Sequence, residues 1–527
     1  MATLMALSAI GSNAVESITR HMSRVKVDIV LHDQPSGFVV SYTTGDRIKG
    51  EVIITAEQDT KFDAVDITFE GATNTSVEGR GNIHPSITPK AYHSFFNMKQ
   101  PIDSSQYPEP RVFSAKKVYR FPFTFVVPDR LLPHICSHSL EDESDPRLHH
   151  AHTQLPPSLG DPMIAGDGVR LIDDMAPEFI RISYMIRATI RKKSNSSSSS
   201  SDAVANSTFR TIAAVAKKVR IIPKTHEQPL LDKTLIDDFD SDYSLRKEKE
   251  VRRGLLRGKM GRLTVEAAQP KALEVPSSRR KTSNDDDSEA STSVSLHLRF
   301  DPESPDEQPP SLRSLATKLK VMTFYSAKPW TRFPSMSSIG TIDPSQGVYS
   351  ESITLSRLCL ARAQWEKHGD SSSSPLSDNR RASCQSTSSW TSSSSSFYPG
   401  KTYYTTSVVA PISLPRDKSF VPTFHSCLVS RIYALDVSIS YQTPNANVVA
   451  PSISLRLPLQ ITSSAGQYPR DSKTLLESVD PLEEEMARLW SQEDEDAFFR
   501  SRSTVAPPEY SLLAGTRQLR KEQEMSC

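Results

Sequence analysis

Every second residue is apolar in the stretch Ile180-Arg181-Ile182-Ser183-Tyr184-Met185-Ile186-Arg187-Ala188-Thr189-Ile190. Side chains of a β strand point alternately to its two faces. The apolar positions therefore share one face of an extended chain, and the stretch predicts a strand with one face buried in a core.

The same alternation recurs on both sides of this stretch. In chain order it is found at 25–31, 65–69, 119–127, 294–300, 319–323, 435–441 and 453–461, and 209–222 is expected to close the first group. Gly71 is expected to end the run at 65–69. Pro122 places its run at a sheet edge or a bulge, because proline lacks the N–H that a strand ladder needs.

Many short strands with turn residues between them and little helical periodicity are typical of antiparallel sandwiches. The predicted fold class is all-β, with two tandem immunoglobulin-like β-sandwiches, long disordered loops and a disordered C-terminal tail.

Polar segments separate the predicted strands. They are 128–177, the serine tract 194–201, the charged connector 224–259 and the Ser-rich insertion 364–398. Such compositions bury too little apolar surface to pack, which predicts loops. Apolar residues at intervals of three or four between Leu475 and Leu489 predict a short acidic amphipathic helix ahead of a polar tail.

The composition limits the classes of partner and compartment. With 63 basic and 62 acidic side chains the net charge is +1, whereas a nucleic-acid binder normally carries a basic excess. The five cysteines are widely spread, which fits free thiols in a reducing compartment. Residues 1–23 lack the basic and apolar regions of a secretory signal. A cytoplasmic protein with no nucleic-acid partner is expected.

Sequence motifs of the common catalytic sites are missing. The chain has no His-Glu-x-x-His, Gly-x-Ser-x-Gly, phosphate-binding loop or dinucleotide fingerprint. A protein that is not an enzyme and uses no cofactor is expected. A Cys/His pair that only the fold brings together stays open, as does an enzyme with an unrecognised site on a sandwich.

One segment is rich in residue types that bind zinc. It holds His134, Cys136, His138, His149, His150 and His152. Imidazole and thiolate groups are preferred zinc ligands, but the spacing matches no known finger. A solvated loop is the favoured interpretation, and no metal site is predicted.

The first group of strands resembles the N-terminal domain of arrestins. The motifs are Gly45-Asp46-x-Ile48-x-Gly50-x-Val52, Val65-x-Ile67-x-Phe69-x-Gly71, Tyr119-x-Phe121-Pro122-Phe123 with Pro128, Leu131, Leu132 and Pro133, and Ile182-Ser183-Tyr184-x-Ile186-x-Ala188. The second group resembles an arrestin C-terminal domain through Gly261-x-Leu263-x-Val265, the segment Pro422 to Tyr433, and Leu455-Arg456-Leu457-Pro458-Leu459-x-Ile461.

The resemblance implies a division of the chain into four parts. They are an arrestin N-like sandwich at 24–223, a linker at 224–259, an arrestin C-like sandwich at 260–463 that contains the insertion 364–398, and a helix and tail at 464–527.

The tail carries Pro507-Pro508-Glu509-Tyr510, a Pro-Pro-x-Tyr motif. Together with the sandwiches it resembles the alpha-arrestins, or arrestin-related trafficking adaptors. The resemblance implies that Pro507, Pro508 and Tyr510 bind a WW-domain HECT-type ubiquitin ligase. It also implies that the sandwiches bind cytosolic tails of membrane transporters or receptors, with recruitment to the plasma membrane or endosomes and subsequent endocytosis. The chain departs from better-known members in having a single such motif and long insertions.

Two basic segments are candidates for regulation. Arg380-Arg381-Ala382-Ser383 and Arg279-Arg280-Lys281-Thr282-Ser283 fit basophilic kinase sites, so Ser383, Thr282 and Ser283 are phosphorylation candidates that could recruit a phosphoserine-binding adaptor. The basic run from Arg246 to Arg262 could touch anionic lipid as a peripheral membrane contact, although a solvated linker is the favoured interpretation.

A ligase-independent sandwich scaffold in vesicle sorting or signalling is the alternative function.

Overall fold

The computed structural model describes residues 25–32, 34, 41–77, 89–136, 138, 146–161, 172–193, 209–225, 242–253, 258–276, 290–336, 339, 343–369, 402–443 and 450–464. All of them belong to one compact unit, Met1–Ala465. Nearly all regular structure in these residues is β strand, which confirms the all-β prediction. Among the same residues, no helix has the length and apolar character needed to cross a membrane.

Ten strands build the first sandwich. They are β1 (Val25–Leu31), β2 (Ser41–Tyr42), β3 (Arg47–Ala56), β4 (Thr60–Lys61), β5 (Ala64–Ser76), β6 (Lys90–Lys99), β7 (Val112–Phe113), β8 (Val118–Val126), β9 (Ile180–Lys193) and β10 (Phe209–Ile221). One sheet has the order β1-β3-β8 and the other the order β2-β10-β9-β5-β6, while β4 pairs with β7. The strand that contains Pro122 is therefore an edge strand, as its sequence predicts.

Twelve further strands follow in the described residues. They are β11 (Arg246–Arg252), β12 (Lys259–Ala267), β13 (Leu273–Pro276), β14 (Ser291–Pro302), β15 (Ser311–Ser326), β16 (Gln346–Cys359), β17 (Glu366–His368), β18 (Tyr403–Ser413), β19 (Phe424–His425), β20 (Val429–Gln442), β21 (Ser452–Leu459) and β22 (Ile461–Ser464). One sheet has the order β11-β12-β14-β18-β17. The other has the order β16-β15-β20-β19, with β21 also paired to β20, and β13 pairs with β22.

Alternation of side chains explains how each sandwich forms its core. In β9, Ile180, Ile182, Tyr184, Ile186, Ala188 and Ile190 are all buried, while the residues between them are more exposed. The same pattern in β14 buries Val294, Leu296, Leu298 and Phe300. Each sandwich encloses a hydrophobic cluster formed by the inward faces of its two sheets.

Gly71 does not end its strand, which is a correction to the sequence prediction. β5 continues through this residue to Ser76 and pairs with β6 and β9 along its length, with a register shift beside β6. A Cβ atom at position 71 would meet the rings of Phe95 and Tyr184 at 2.7 and 2.9 Å. Glycine is needed here because two aromatic rings pack directly on the backbone, and not because the chain turns.

The basic run also differs from the expected solvated linker. Residues Arg246–Arg252 form the edge strand β11, which pairs antiparallel with β12. Glu248 forms ion pairs with Arg246 and Arg262 at 2.8 and 3.0 Å, so the charges are partnered along an exposed edge. Charged side chains on edge strands discourage pairing with other chains. The strand β17 similarly occupies the start of the expected insertion.

The segment 128–177, expected to be a long loop, contains regular structure in its described part. A 3₁₀ turn spans Pro133–Cys136 and the helix α1 spans Pro146–His152. The backbone N–H of Leu131 donates to the carbonyl of Thr153 at 2.8 Å, which holds the turn and the helix side by side. The domain boundaries proposed from the sequence remain predictions.

Candidate functional site

The two sandwiches meet in a packed interface. The hydroxyl of Thr75, near the end of β5, donates a hydrogen bond of 2.7 Å to the carbonyl of Ser326, the last residue of β15. The rings of Phe179 and Tyr325 lie 5.0 Å apart. The apolar cluster of the first sandwich also includes five residues of the second half of the chain, namely Tyr325, Val421, Phe424, Leu428 and Val429. The first core is therefore completed by the second sandwich.

A buried arginine crosses this interface. Arg431 in β20 is 0% exposed, and its guanidinium donates to the carbonyls of Asp174 and Met175 at 3.0 and 3.1 Å. The carboxylate of Asp174 accepts from the backbone N–H groups of Gly160 and Ala176 at 2.7 and 3.2 Å. Burial raises the pKa of the Asp174 carboxyl, and these hydrogen bonds and the neighbouring Arg431 offset only part of that effect.

Two further polar contacts join the same surfaces. Arg220 in β10 donates to the hydroxyl of Ser419 at 2.7 Å. The ammonium of Lys418 lies 2.7 Å from the Asp173 carboxylate and 3.2 Å from that of Glu351. The hydrogen bond to Asp173 raises the pKa of Lys418. Each of these polar contacts is directional. Together they restrict the relative orientation of the two sandwiches more than apolar packing does alone.

Four metal-ligating side chains converge at another part of the interface. Cys136, His138, His152 and Cys427 each place one ligand atom within 4.8 Å of those of the other three. The Sγ of Cys136 lies 3.3 Å from Nε2 of His138 and 3.4 Å from Nδ1 of His152. These four residues are the Cys/His cluster of the interface. Two thiols and two imidazoles form a set that could hold a metal ion.

Different elements position the members of the Cys/His cluster. Cys136 ends the 3₁₀ turn, and His138 follows it by two residues. His152 ends α1, in which Leu148 is also buried. Cys427 lies between β19 and β20, where its carbonyl accepts from the backbone N–H of Trp330 at 2.8 Å. Three ligands therefore come from the first sandwich and the fourth from the second.

The cluster perturbs the acidity of its own groups and of its neighbours. Hydrogen bonding from Cys427, together with the two imidazoles, lowers the pKa of Cys136, whereas contact with Cys136 and burial raise that of Cys427. Burial lowers the pKa of His425 to about 4, with a smaller effect from His152. Burial, followed by His138, lowers the pKa of His93. The cluster thus lies close enough to His93 and His425 to lower the pKa values of both imidazoles.

The favoured interpretation of the His-rich segment as a solvated loop is wrong for its central members. Cys136 is 6% exposed and His152 is 1% exposed. The structure brings Cys136, His138 and His152 together but leaves His134 and His150 exposed on the surface. Sequence reasoning missed Cys427 entirely, because it lies far along the chain and no local motif marks it.

The other predicted site residues lie outside the described residues. These are Pro507, Pro508 and Tyr510 of the Pro-Pro-x-Tyr motif and the phosphorylation candidates Ser383, Thr282 and Ser283. The amphipathic helix at 475–489 lies outside them as well.

Comparison with known proteins identifies one family likeness. The family model described as arrestin (or S-antigen), N-terminal domain, matches residues 33–221. A comparison with curated proteins found no match. The matched range covers nearly all of the first sandwich, from the segment after β1 to the end of β10. The first sandwich is therefore arrestin-like, which supports an adaptor or scaffold role of the kind found in arrestins.

Proposed function

We propose that this protein is an adaptor that recruits a WW-domain HECT-type ubiquitin ligase to transporters or receptors of the plasma membrane, and so promotes their ubiquitination and endocytosis. The observation that carries the proposal is the Pro507-Pro508-Glu509-Tyr510 motif on a chain whose first sandwich is arrestin-like. The protein itself performs no chemistry in this scheme; it brings an enzyme to its substrate.

The chemistry of the motif suits a WW domain. Consecutive prolines favour the polyproline II conformation before binding, so little conformational entropy is lost on docking. Aromatic side chains of a WW groove accept the prolines, and the tyrosine ring adds an apolar contact with a polar end. Charged and polar residues predominate further out, at 500–504 and 516–524, which favours an accessible motif.

The interface between the sandwiches supports the other half of the proposal. Buried contacts of Arg431, Arg220 and Thr75 hold the two sandwiches as one body. We propose that this body binds the cytosolic tails of the cargo, in the cytoplasm and at the plasma membrane or endosomes. Tethering a ligase to it raises the local concentration of ligase near lysines of the cargo.

Titration of a fluorescently labelled WW domain with the full chain tests the ligase contact. The double variant Pro508→Ala/Tyr510→Ala is expected to weaken binding by about tenfold or more, which corresponds to about 1.4 kcal/mol. Tyr468→Ala, a tyrosine next to a proline elsewhere in the tail, is the matched control and should bind like the unsubstituted chain.

Equal binding by the double variant and the control would disprove the ligase contact. A ligase-independent scaffold in vesicle sorting or signalling would then be the better description, because it requires the sandwiches but not the motif. In cells, proximity labelling with the double variant should lose the ligase and keep the cargo.

A further inference from the structure

The geometry of the Cys/His cluster is close to that of a tetrahedral zinc site. Zn–S and Zn–N bonds of about 2.3 and 2.0–2.1 Å at tetrahedral angles place sulfur and nitrogen about 3.6 Å apart and two sulfurs about 3.8 Å apart. The Sγ of Cys136 lies 3.3 and 3.4 Å from the two imidazole nitrogens, and all four ligand atoms lie within 4.8 Å of one another. Movements of the four ligand atoms by about 1 Å or less would give them the tetrahedral arrangement of a zinc site.

Burial gives the cluster a reason to hold a cation. His152 is 1% exposed and Cys427 is 3% exposed, and the Nδ1 of His152 lies 3.4 Å from the Sγ of Cys136. Buried polar groups of this kind are unfavourable unless they are compensated. Two thiolates and two neutral imidazoles around a divalent cation have zero net charge, so the complete site suits a poorly hydrated interior.

We propose that Cys136, His138, His152 and Cys427 bind one Zn²⁺ ion that links the two sandwiches. A tetrahedral set of two sulfurs and two nitrogens is selective for zinc among the common divalent ions of the cell. All four positions are filled by protein, which is the arrangement of structural rather than catalytic zinc. The sequence alone favours no metal here, because three of the ligands match no finger and the fourth comes from a distant segment.

A disulfide between Cys136 and Cys427 is the competing state of the same residues. It would leave the buried imidazole of His152 and the half-buried imidazole of His138 beside an uncharged bridge that accepts hydrogen bonds only weakly. Zinc instead uses all four groups, and the spread cysteines of this chain fit a reducing compartment. The geometry therefore favours the metal.

Zinc at this place would act as a clamp. Cys136, His138 and His152 belong to the segment around the 3₁₀ turn and α1, whereas Cys427 precedes β20 of the second sandwich. A metal bound only by the folded protein stabilises it by mass action. The bound ion would stabilise the interface between the sandwiches, together with the contacts of Arg431 and Lys418. This inference is independent of the proposed ligase contact, because it involves no residue of the tail.

Metal content of the purified full chain is the first test. Elemental analysis is expected to find about one zinc per chain, and less than about a tenth of that in Cys427→Ser and His152→Asn. Cys359→Ser changes an exposed cysteine, and His134→Asn changes an exposed histidine next to the cluster, so both matched controls should keep the metal. Full zinc content in Cys427→Ser, or none in the unsubstituted chain purified with zinc, would overturn the proposal.

A second measurement uses the unsubstituted chain, so its result does not depend on whether the variants fold. The chain is stripped with a chelator under reducing conditions and titrated with Co²⁺ alone. One equivalent should produce the intense visible bands of tetrahedral cobalt and a thiolate-to-metal charge-transfer band, and zinc should abolish both. Zinc addition should also raise the thermal midpoint by several degrees.

Absence of the charge-transfer band would overturn the proposal. So would recovery of a Cys136–Cys427 disulfide peptide from protein kept under reducing conditions. WW-domain binding should be the same with and without zinc, so failure of the metal site and failure of the ligase contact can be told apart.

Discussion

At the scale of single residues, the interface contains charges that are almost fully removed from water. Arg431 donates to two backbone carbonyls rather than to a carboxylate, while the nearby Asp174 accepts from two backbone N–H groups. Both ions therefore keep hydrogen bonds but lose hydration, which is unfavourable for each of them. Such a pair contributes more to the orientation of the sandwiches than to their stability.

The raised pKa of Asp174 predicts a specific dependence of stability on pH. Since burial raises this pKa above the ordinary value of 3.8, the folded protein binds more protons than the unfolded chain between 3.8 and the folded pKa. The contribution of Asp174 to the free energy of unfolding therefore increases as the pH falls through the folded pKa towards 3.8.

Asp174→Asn removes this contribution. Urea unfolding of both proteins at several values from about pH 7 down to pH 3.8 should show the unsubstituted chain gaining stability relative to the variant as the pH falls through the folded pKa of Asp174. Any loss of zinc on acidification affects both proteins and cancels in the difference. A difference that is constant with pH, or that changes in the opposite direction, would contradict the buried carboxyl.

At the scale of strands, close approach of side chains to backbone determines which residues are tolerated. β5 lies between β6 and β9, and at Gly71 the rings of Phe95 and Tyr184 occupy the space that a side chain would need. Both rings are buried among other aromatic side chains, with Phe95 and Tyr184 packed edge to face at 5.5 Å. Neither ring can move away easily.

Gly71→Ala is therefore expected to destabilise the protein by about 1–3 kcal/mol, as overpacking in a core does. Gly258→Ala is the matched control, because a Cβ atom there would meet nothing within 4 Å, and its effect should be close to zero. Chemical denaturation measures both. Equal stability of the two variants would show that the aromatic rings relax around position 71.

At the scale of the whole molecule, the two sandwiches are expected to unfold together. The core of the first sandwich is completed by Phe424, Leu428 and other residues from the second half of the chain. Unfolding one sandwich would expose apolar surface on the other, and this shared burial couples their stability.

Tryptophan fluorescence makes this coupling measurable, because Trp330 and Trp365 pack in the second sandwich and no tryptophan precedes Trp330 in the sequence. Ile186→Ala in the core of the first sandwich should destabilise by about 2–5 kcal/mol. It should lower the midpoint of the tryptophan fluorescence transition although no tryptophan is near it in sequence. Val409→Ala, at an exposed position, should leave the midpoint unchanged. If Ile186→Ala leaves the midpoint of the tryptophan fluorescence transition unchanged, the two sandwiches unfold independently.

The sequence by itself determined the buried faces of the strongly alternating strands, as at Ile180–Ile190, and it limited the strand with Pro122 to a sheet edge or a bulge. Both follow from local properties of the backbone, namely the alternation of side chains and the missing proline N–H. It also holds the Pro-Pro-x-Tyr motif, whose chemistry is contained in four consecutive residues.

Only the tertiary structure decided which distant segments meet. In the folded protein Cys427 lies beside Cys136, and Arg431 lies beside Asp174. Strand β5 continues through Gly71, where two aromatic rings pack on the backbone. The charged segment Arg246–Arg252 forms an edge strand. These outcomes depend on strand order and on the packing of one sandwich against the other. Neither is encoded in a local pattern, because a residue pattern records which face of a strand is buried but not what covers it.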